Sequence, residues 1–292
     1  MTLVRLATRS SPLAVWQAEH VAGLLRDAHP GIEVALVRTD TVGDRRLDVP
    51  ISEIGGKGVF ATEVQRLVLD GSADAAVHSA KDLPAVTDEG LALVAVPERG
   101  DPRDALVGST LSGLREGAVV ATGSQRRRVQ LATLRPDLTF VELRGNMATR
   151  LGKVPEGGAI VVAAVALSRL GLADRIDEVL AADLLIPQVG QAALAVEARA
   201  GDTATADLLA AIEHAPSRRR VDAERAFLAE LGGDCDLPAG AHATLDGDRI
   251  HVRALLAADD GTVHVREAAG PAAEGDALAA TLAQDLRLLA TA

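Results

Sequence analysis

A chain of 292 residues, 48% hydrophobic and 24% charged, has the make-up of a soluble globular protein with room for two or three domains. Its net charge of −11 argues against general affinity for nucleic acid, whose phosphates need a cationic surface. No apolar run of about 18 residues offers a membrane span, and a single cysteine excludes an internal disulfide and any recognisable zinc spacing. The opening "MTLVRLATRSS" has no long apolar stretch and no small-residue cleavage site, so secretion is not expected and the cytoplasm is the expected compartment. With three Phe, one Trp and no Tyr, cores must be built from small aliphatic side chains.

In chain order, "LVRLAT" reads as a strand. A helix follows over "SPLAVWQAEHVAGLLRDAHPG", with Ser11 as N-cap, Pro12 in the first turn and Pro30-Gly31 as the stop. "IEVALVRT" is a second strand, "GVFATEVQRLVLDG" a helix closed by Gly71, and "ADAAVHS" and "LALVAVP" are further strands. After a charged linker, "ERGDPRD" (98–104), the alternation restarts: strand "AVVAT", helix "SQRRRVQLATL", strand "TFVELRG", helix "MATRLGKV" and strand "AIVVAAV". Alternation at this spacing predicts two α/β lobes with a cleft between them. "QAALAVEAR" and the helix "TADLLAAIEHA" are expected to return the chain to the first lobe. A helix "VDAERAFLAELGG" then precedes alternating segments broken at Asp246-Gly247 and Asp260-Gly261, which are hairpin signals. These, with a last helix "DALAATLAQDLRLLA", predict a small α+β domain with a three-stranded antiparallel sheet. The expected division is 1–98 with 192–214, then 99–191, then 215–292.

Candidate site residues cluster where strands are expected to end. In "VATGSQRRRVQL", Gly123 allows close backbone approach and Ser124 can cap a helix whose free N–H groups attract an anion. Arg126, Arg127 and Arg128 add guanidinium forks suited to carboxylates. "ELRGNMATR" repeats the design with Arg144, Thr149 and Arg150, and ligands of α/β lobes gather at such strand ends. "AVHSAKDLPA" supplies His78, Ser79, Lys81 and Asp82; Lys81 can hold an anion and Asp82 can act as an acid or stabilise positive charge. Arg9 and Ser11 stand at another strand end, Asp44 lies in "TVGD", and Lys57 rides on the Gly-rich "GGKGVF", which suits a lid or a plain turn. The outline is a cleft rich in Arg and Lys with few acids, fit for a substrate bearing several carboxylates.

The lone thiol, Cys235, sits in "ELGGDCDLPAG" between two aspartates. Neighbouring carboxylates disfavour the thiolate, so the position is poor for a nucleophile regenerated at every turnover. His242 is too far along the chain to make an evident Cys–His pair.

Together, "ATRSSPLA", "GGKGVF", "AVHSAKDLP", "DPRDAL", "TGSQRRR", "LRGNMATRL" and "AERAFLAELGGDCDLPAGA" resemble the hydroxymethylbilane synthase (porphobilinogen deaminase) family over almost the whole chain. The resemblance implies a transferase of porphyrin, haem and related tetrapyrrole biosynthesis. Such an enzyme condenses four porphobilinogen molecules head to tail with loss of ammonia and releases the linear tetrapyrrole by hydrolysis. It implies two lobes like those of periplasmic binding proteins and a third domain bearing a dipyrromethane primer, joined by a thioether to Cys235. A tether reacts once, which makes the flanking aspartates tolerable. Arg9, Ser11, Lys81, Ser124, Arg126, Arg127, Arg144 and Arg150 match the family's carboxylate-binding positions, Lys81, Ser124, Arg126, Arg127 and Asp44 being assigned to the cofactor and Arg9, Ser11, Arg144 and Arg150 to substrate. Asp82 matches the catalytic aspartate that steadies a positive azafulvene-type species, and Lys57 and Phe60 match the lid. No metal is implied, and the expected state is a monomer without nucleic-acid or membrane partners. Asp234 departs from the family's usual Gly before the cysteine, and Arg128 extends the usual arginine pair. A dicarboxylate receptor on the same lobes would explain the arginines but leaves Cys235, Asp82 and the third domain without roles. A nucleic-acid binder is opposed by the charge and the scarcity of aromatics for stacking. A thiol enzyme would show a titratable Cys235.

Overall fold

The computed structural model describes residues 2–41, 60–232 and 237–291. Asp44, Lys57, Asp234 and Cys235, all singled out from the sequence, lie outside them.

The first sheet has the order β2-β1-β3-β10-β4. β1 (Leu3–Arg9) pairs in parallel with β2 (Glu33–Thr39) and with β3 (Ala75–Ser79). β10 (Leu194–Arg199) runs antiparallel between β3 and β4 (Leu91–Ala95). α1 (Pro12–Ala28) buries Ala14, Ala18, Val21, Ala22 and Leu25, a stripe at helical spacing. Ser11 caps it, its hydroxyl accepting from Ala14 N at 3.4 Å. α2 (Thr62–Leu69) buries Val64 and Val68.

The second sheet repeats the layout as β7-β6-β8-β5-β9. β6 (Val119–Ala121) is parallel to β7 (Thr139–Val141) and β8 (Ala159–Ala163), and β5 (Asp104–Val107) is antiparallel between β8 and β9 (Glu178–Val179). Its helices are α3 (Gln125–Leu134), α4 (Met147–Leu151) and α5 (Ala164–Arg169). In each sheet a strand reached through a crossing segment, β10 or β5, runs antiparallel to the other four. The chain passes between sheets twice, between β4 and β5 and between β9 and β10. α6 (Thr203–Ala210) follows β10.

The third unit packs α7 (Ala215–Glu230) and α8 (Gly275–Ala290) on one face of the antiparallel sheet β11 (Ala239–Asp246), β12 (Arg249–Ala257), β13 (Val263–Pro271). Gly247 (φ +59°) turns the first hairpin, as the Asp246-Gly247 step predicts. Small side chains do build the cores: Ala, Val, Leu and Ile dominate, and the largest fully buried side chain among the described residues is Arg126, ahead of Phe227.

Three local expectations change. Asp104 ends no linker: it opens β5, with its carboxylate buried. "AIVVAAV" is split, because Ala164 bonds back to Arg103 O and starts α5. α7 begins at Ala215 rather than Val221, with Pro216 in its first turn, so "APSRRR" is helical.

The three units meet at one ion pair. Arg99, on the first crossing, gives Nη1 to Glu224 Oε1 (2.7 Å) and Nη2 to Oε2 (3.0 Å), with neither side chain exposed to solvent. Glu224 of α7 also accepts from Gly190 N (2.8 Å) on the second crossing and from Ala243 N (2.9 Å) of β11. Beside it Ala192 holds φ +71°, a conformation that costs a non-glycine residue about 1 kcal/mol or more. Its carbonyl accepts from Arg169 Nη2 at 2.7 Å.

Candidate active site

Parallel strands deliver the charged residues. β1 ends at Arg9 and β3 at Ser79, from which a short 3-10 turn, Ala80–Asp82, projects Lys81 and Asp82. In the other sheet β6 leads into Ser124 and α3, and β7 leads into Arg144 and α4. These are carboxyl ends of parallel strands, where side chains can converge on a ligand.

The two sets act on each other. Burial is the main force pushing the Lys81 pKa down to about 8, and the Arg127 charge adds to it, while Asp82 and Asp104 pull the other way and Arg150 lowers it further. Burial also weighs against the Arg150 charge, joined by Arg127 and Arg144 and opposed by Asp82 and Glu142; a guanidinium nevertheless stays protonated at working pH. Lys81 and Asp82 of the first sheet thus share one electrostatic environment with Arg127, Arg144 and Arg150 of the second. Arg9 Nη1 lies 3.8 Å from Asp82 Oδ2, and its Cζ stands 4.4 Å over the Phe60 ring. Arg150 is fixed by Nε donating to Gly145 O (2.8 Å), and Asn146 caps α4 by accepting from Thr149 N (3.0 Å).

Arg126 and Arg127 are more deeply engaged than free forks would be. Arg126 Nη2 donates to Asp104 Oδ2 (2.8 Å) and Nη1 to Ile186 O (2.5 Å). Arg127 gives Nε (3.1 Å) and Nη2 (2.7 Å) to Asp104 Oδ1 and Nη1 to Val161 O (3.2 Å). Gln191 Nε2 closes the ring on Asp104 Oδ1 at 2.8 Å. Burial works against the Asp104 carboxylate, but the two guanidiniums and these hydrogen bonds outweigh it and hold its pKa well below the usual carboxylate range. Arg126 Nε is enclosed with no partner among the described residues.

Other expectations fare differently. Ser124 stands at the N-cap of α3, but its hydroxyl makes no capping bond. Arg128 is exposed, 6.0 Å from the Phe140 ring. His78 faces inward: its Nε2 is 3.2 Å from Glu197 Oε2, which also accepts from Gln65 Nε2 at 2.8 Å. Sequence reasoning missed Gln17, whose Nε2 donates to Ser79 Oγ at 2.8 Å; the signal was a polar residue within α1's apolar stripe. It also missed Asp104 and Gln191. Asp104 was hidden in a charged run, although the apolar "ALV" after it marks a strand.

Among the described residues no group of His, Cys, Asp and Glu is arranged to hold a metal, and no helix is long and apolar enough to cross a membrane. The donors suit a group with several carboxylates: Lys81, Arg144 and Arg150 act on one another electrostatically, Arg9 stands beside Asp82, and Arg126 Nε has no partner among the described residues. Gly240, shortly after Cys235, brings β11 directly onto this wall. A Cβ there would stand 2.7 Å from Pro187 O and 2.9 Å from Arg126 Cδ.

Fold and site together define a two-lobed α/β protein suited to a polyanionic organic ligand, with the carboxylates of Asp82 and Asp104 set among its cations. Residues 4–207 match the family model described as "Porphobilinogen deaminase, dipyromethane cofactor binding domain", and residues 218–287 match "Porphobilinogen deaminase, C-terminal domain". The chain belongs to the porphobilinogen deaminase family. It is a transferase of porphyrin and haem biosynthesis with hydroxymethylbilane synthase activity, joining four porphobilinogen molecules with loss of ammonia on a dipyrromethane primer. The chain's one cysteine is consistent with covalent attachment of that primer. Among solved structures it is similar to the methionine-binding protein MetQ, with 14% identity over 71% of this chain and 88% of that one and a TM-score of 0.45. It is also similar to the reduced OxyR regulatory domain from Pseudomonas aeruginosa, with 15% identity, 72% and 97% coverage and a TM-score of 0.42. At these TM-scores the likeness carries no argument.

Proposed function

We propose that Asp82 is the catalytic carboxylate, that Cys235 carries the primer through a thioether, and that the cations of both sheets hold the ring carboxylates. When bound, the dipyrromethane supplies the free pyrrole α-carbon from which the chain grows. Arg126, Arg127, Ser124 and Lys81 hold its carboxylates, and Asp44 belongs to the same cofactor-binding set. Arg9, Ser11, Arg144 and Arg150 hold those of the incoming porphobilinogen, and Lys57 and Phe60 belong to the lid. Asp82, oriented by Arg9, accepts the pyrrole N–H and stabilises the positive charge that develops as ammonia departs. It is then placed to take up the proton released when the new carbon–carbon bond forms.

The observation that carries this reading is the meeting of Lys81 and Asp82 from one sheet with Arg127 and Arg150 from the other. A four-carboxylate primer placed there is neutralised from both sides. The lobes divide as 1–98 with 192–214, 99–191 and 215–292, and the enzyme works as a cytoplasmic monomer without nucleic-acid or membrane partners. Asp82→Asn tests the assignment. It should retain fold and primer and lose about 10²-fold or more in kcat, as expected for removal of a charge-stabilising, proton-transferring group. Near-normal turnover would remove the role.

A further inference from the structure

The turn that carries Asp82 is followed by residues 83–90, which form neither helix nor strand. Backbone carbonyls in such a segment need partners from elsewhere, and the partner of Ala85 comes from the third unit. Arg225 of α7 donates Nη2 to Ala85 O at 3.0 Å and approaches Thr87 Oγ1 at 3.4 Å. The residue before it, Glu224, accepts from Gly190 N. Gly190 lies flat against the other flank of the turn: a Cβ on it would stand 3.0 Å from Ala80 Cβ and 3.1 Å from Lys81 N. Two consecutive residues of one helix therefore hold the segment that leaves the Ala80–Asp82 turn and the glycine packed against it. Arg225 is itself largely enclosed, and its charge is met by Glu197, which lies 3.2 Å from His78 on the strand leading into the turn. The same helix ends at Glu230, just before Gly232, the last described residue before Cys235.

We infer that Arg225 is a positioning residue for the reaction, setting the Asp82 carboxylate in register with the segment that bears the primer. The inference rests on the assignment of Asp82 above. Through the contacts of Arg225 and Glu224, helix α7 ties the catalytic turn to the third unit, so the carboxylate stays in place relative to a chain anchored there. Releasing Ala85 O frees one flank of the turn, and a displacement on the order of 1 Å at a reacting group costs up to about 10²-fold in rate.

The test compares holoenzymes of wild type, Arg225→Lys and Arg225→Gln. Intact mass gives the primer content of each, thermal unfolding gives the folded fraction, and kcat and KM for porphobilinogen are expressed per folded, primed molecule. The expected order of kcat is wild type, then Arg225→Lys, then Arg225→Gln at about tenfold below wild type, with KM within about twofold throughout. A structural role alone would lower the unfolding temperature and leave kcat per folded molecule unchanged. A folded variant with wild-type kcat overturns the inference, and if Arg225→Gln does not fold, Arg225→Lys decides by the same criterion. A primed wild type without turnover would instead overturn the functional reading, and this inference with it.

Discussion

Asp104 provides the sharpest energetic test, since its carboxylate is wholly buried and three side chains are arranged around it. Asp104→Asn keeps the shape but removes the charge, and it turns an N–H toward one of two guanidiniums that have only donors to offer. Breaking a buried ion pair by neutralising one partner costs about 3–5 kcal/mol, because the remaining charge is left uncompensated. Here two arginines share that carboxylate, so the upper part of the range is expected. At a urea dependence of about 1–3 kcal/mol per molar, the midpoint should fall by on the order of 1–5 M. Trp16 is a suitable probe: it is the chain's one tryptophan, and Arg169 of α5 lies 5.3 Å over its ring, across the seam between α1 and the second sheet. The pH dependence has a definite sign. The folded pKa of Asp104 lies below its unfolded value, about 3.9, so its contribution is complete above that value and is lost as pH falls below it. Wild type should lose stability on acidification more steeply than Asp104→Asn. A variant with an unchanged midpoint and an unchanged acid profile would refute the claim that Arg126 and Arg127 depend on Asp104.

Lys81, with its pKa pushed down to about 8, is protonated below that pH and neutral above it. Its hold on the primer's carboxylates should therefore weaken on passing well above pH 8, so the gap in unfolding temperature between primed wild type and Cys235→Ser should narrow there; Lys81→Arg should keep the gap open, and an unchanged gap would put Lys81 outside the primer site. By linkage, stability without ligand should increase between about pH 8 and 10.4, where the unfolded chain holds more protons than the folded one. Gly240→Ala should destabilise by about 1–3 kcal/mol, since the new methyl meets the Pro187 carbonyl and Arg126 Cδ at less than contact distance. Urea unfolding checks this, and an unchanged midpoint would mean that β11 does not press on Arg126.

Much of the fold could be read from period and punctuation. α1 was bounded by Ser11, Pro12 and Gly31, and the hairpin at Gly247 by its Asp-Gly step, because capping and turn chemistry are local. Strand order was out of reach. That β10 inserts between β3 and β4, or that β5 begins at Asp104, depends on pairing between distant segments that leaves no local mark. The site divided in the same way. Arg9, Lys81, Asp82, Arg144 and Arg150 stand at strand ends and were visible as cations and an acid at expected junctions. Whether an arginine faces a ligand or a buried carboxylate is a tertiary fact, so the engagement of Arg126 and Arg127 with Asp104 could not be foreseen. His78 shows the reverse: a polar residue before a loop suggested the cleft, but β3 turns its side chain inward to Glu197.

The central claim is that the chain carries its own primer on its one cysteine. The most direct measurement is the intact mass of the purified protein beside that of Cys235→Ser, before and after incubation with porphobilinogen. The account predicts an excess of two linked pyrrole units on the wild type and none on the variant. Equal masses for both after incubation, corrected for the substitution, together with a freely titratable Cys235 thiol in the wild type, would contradict it.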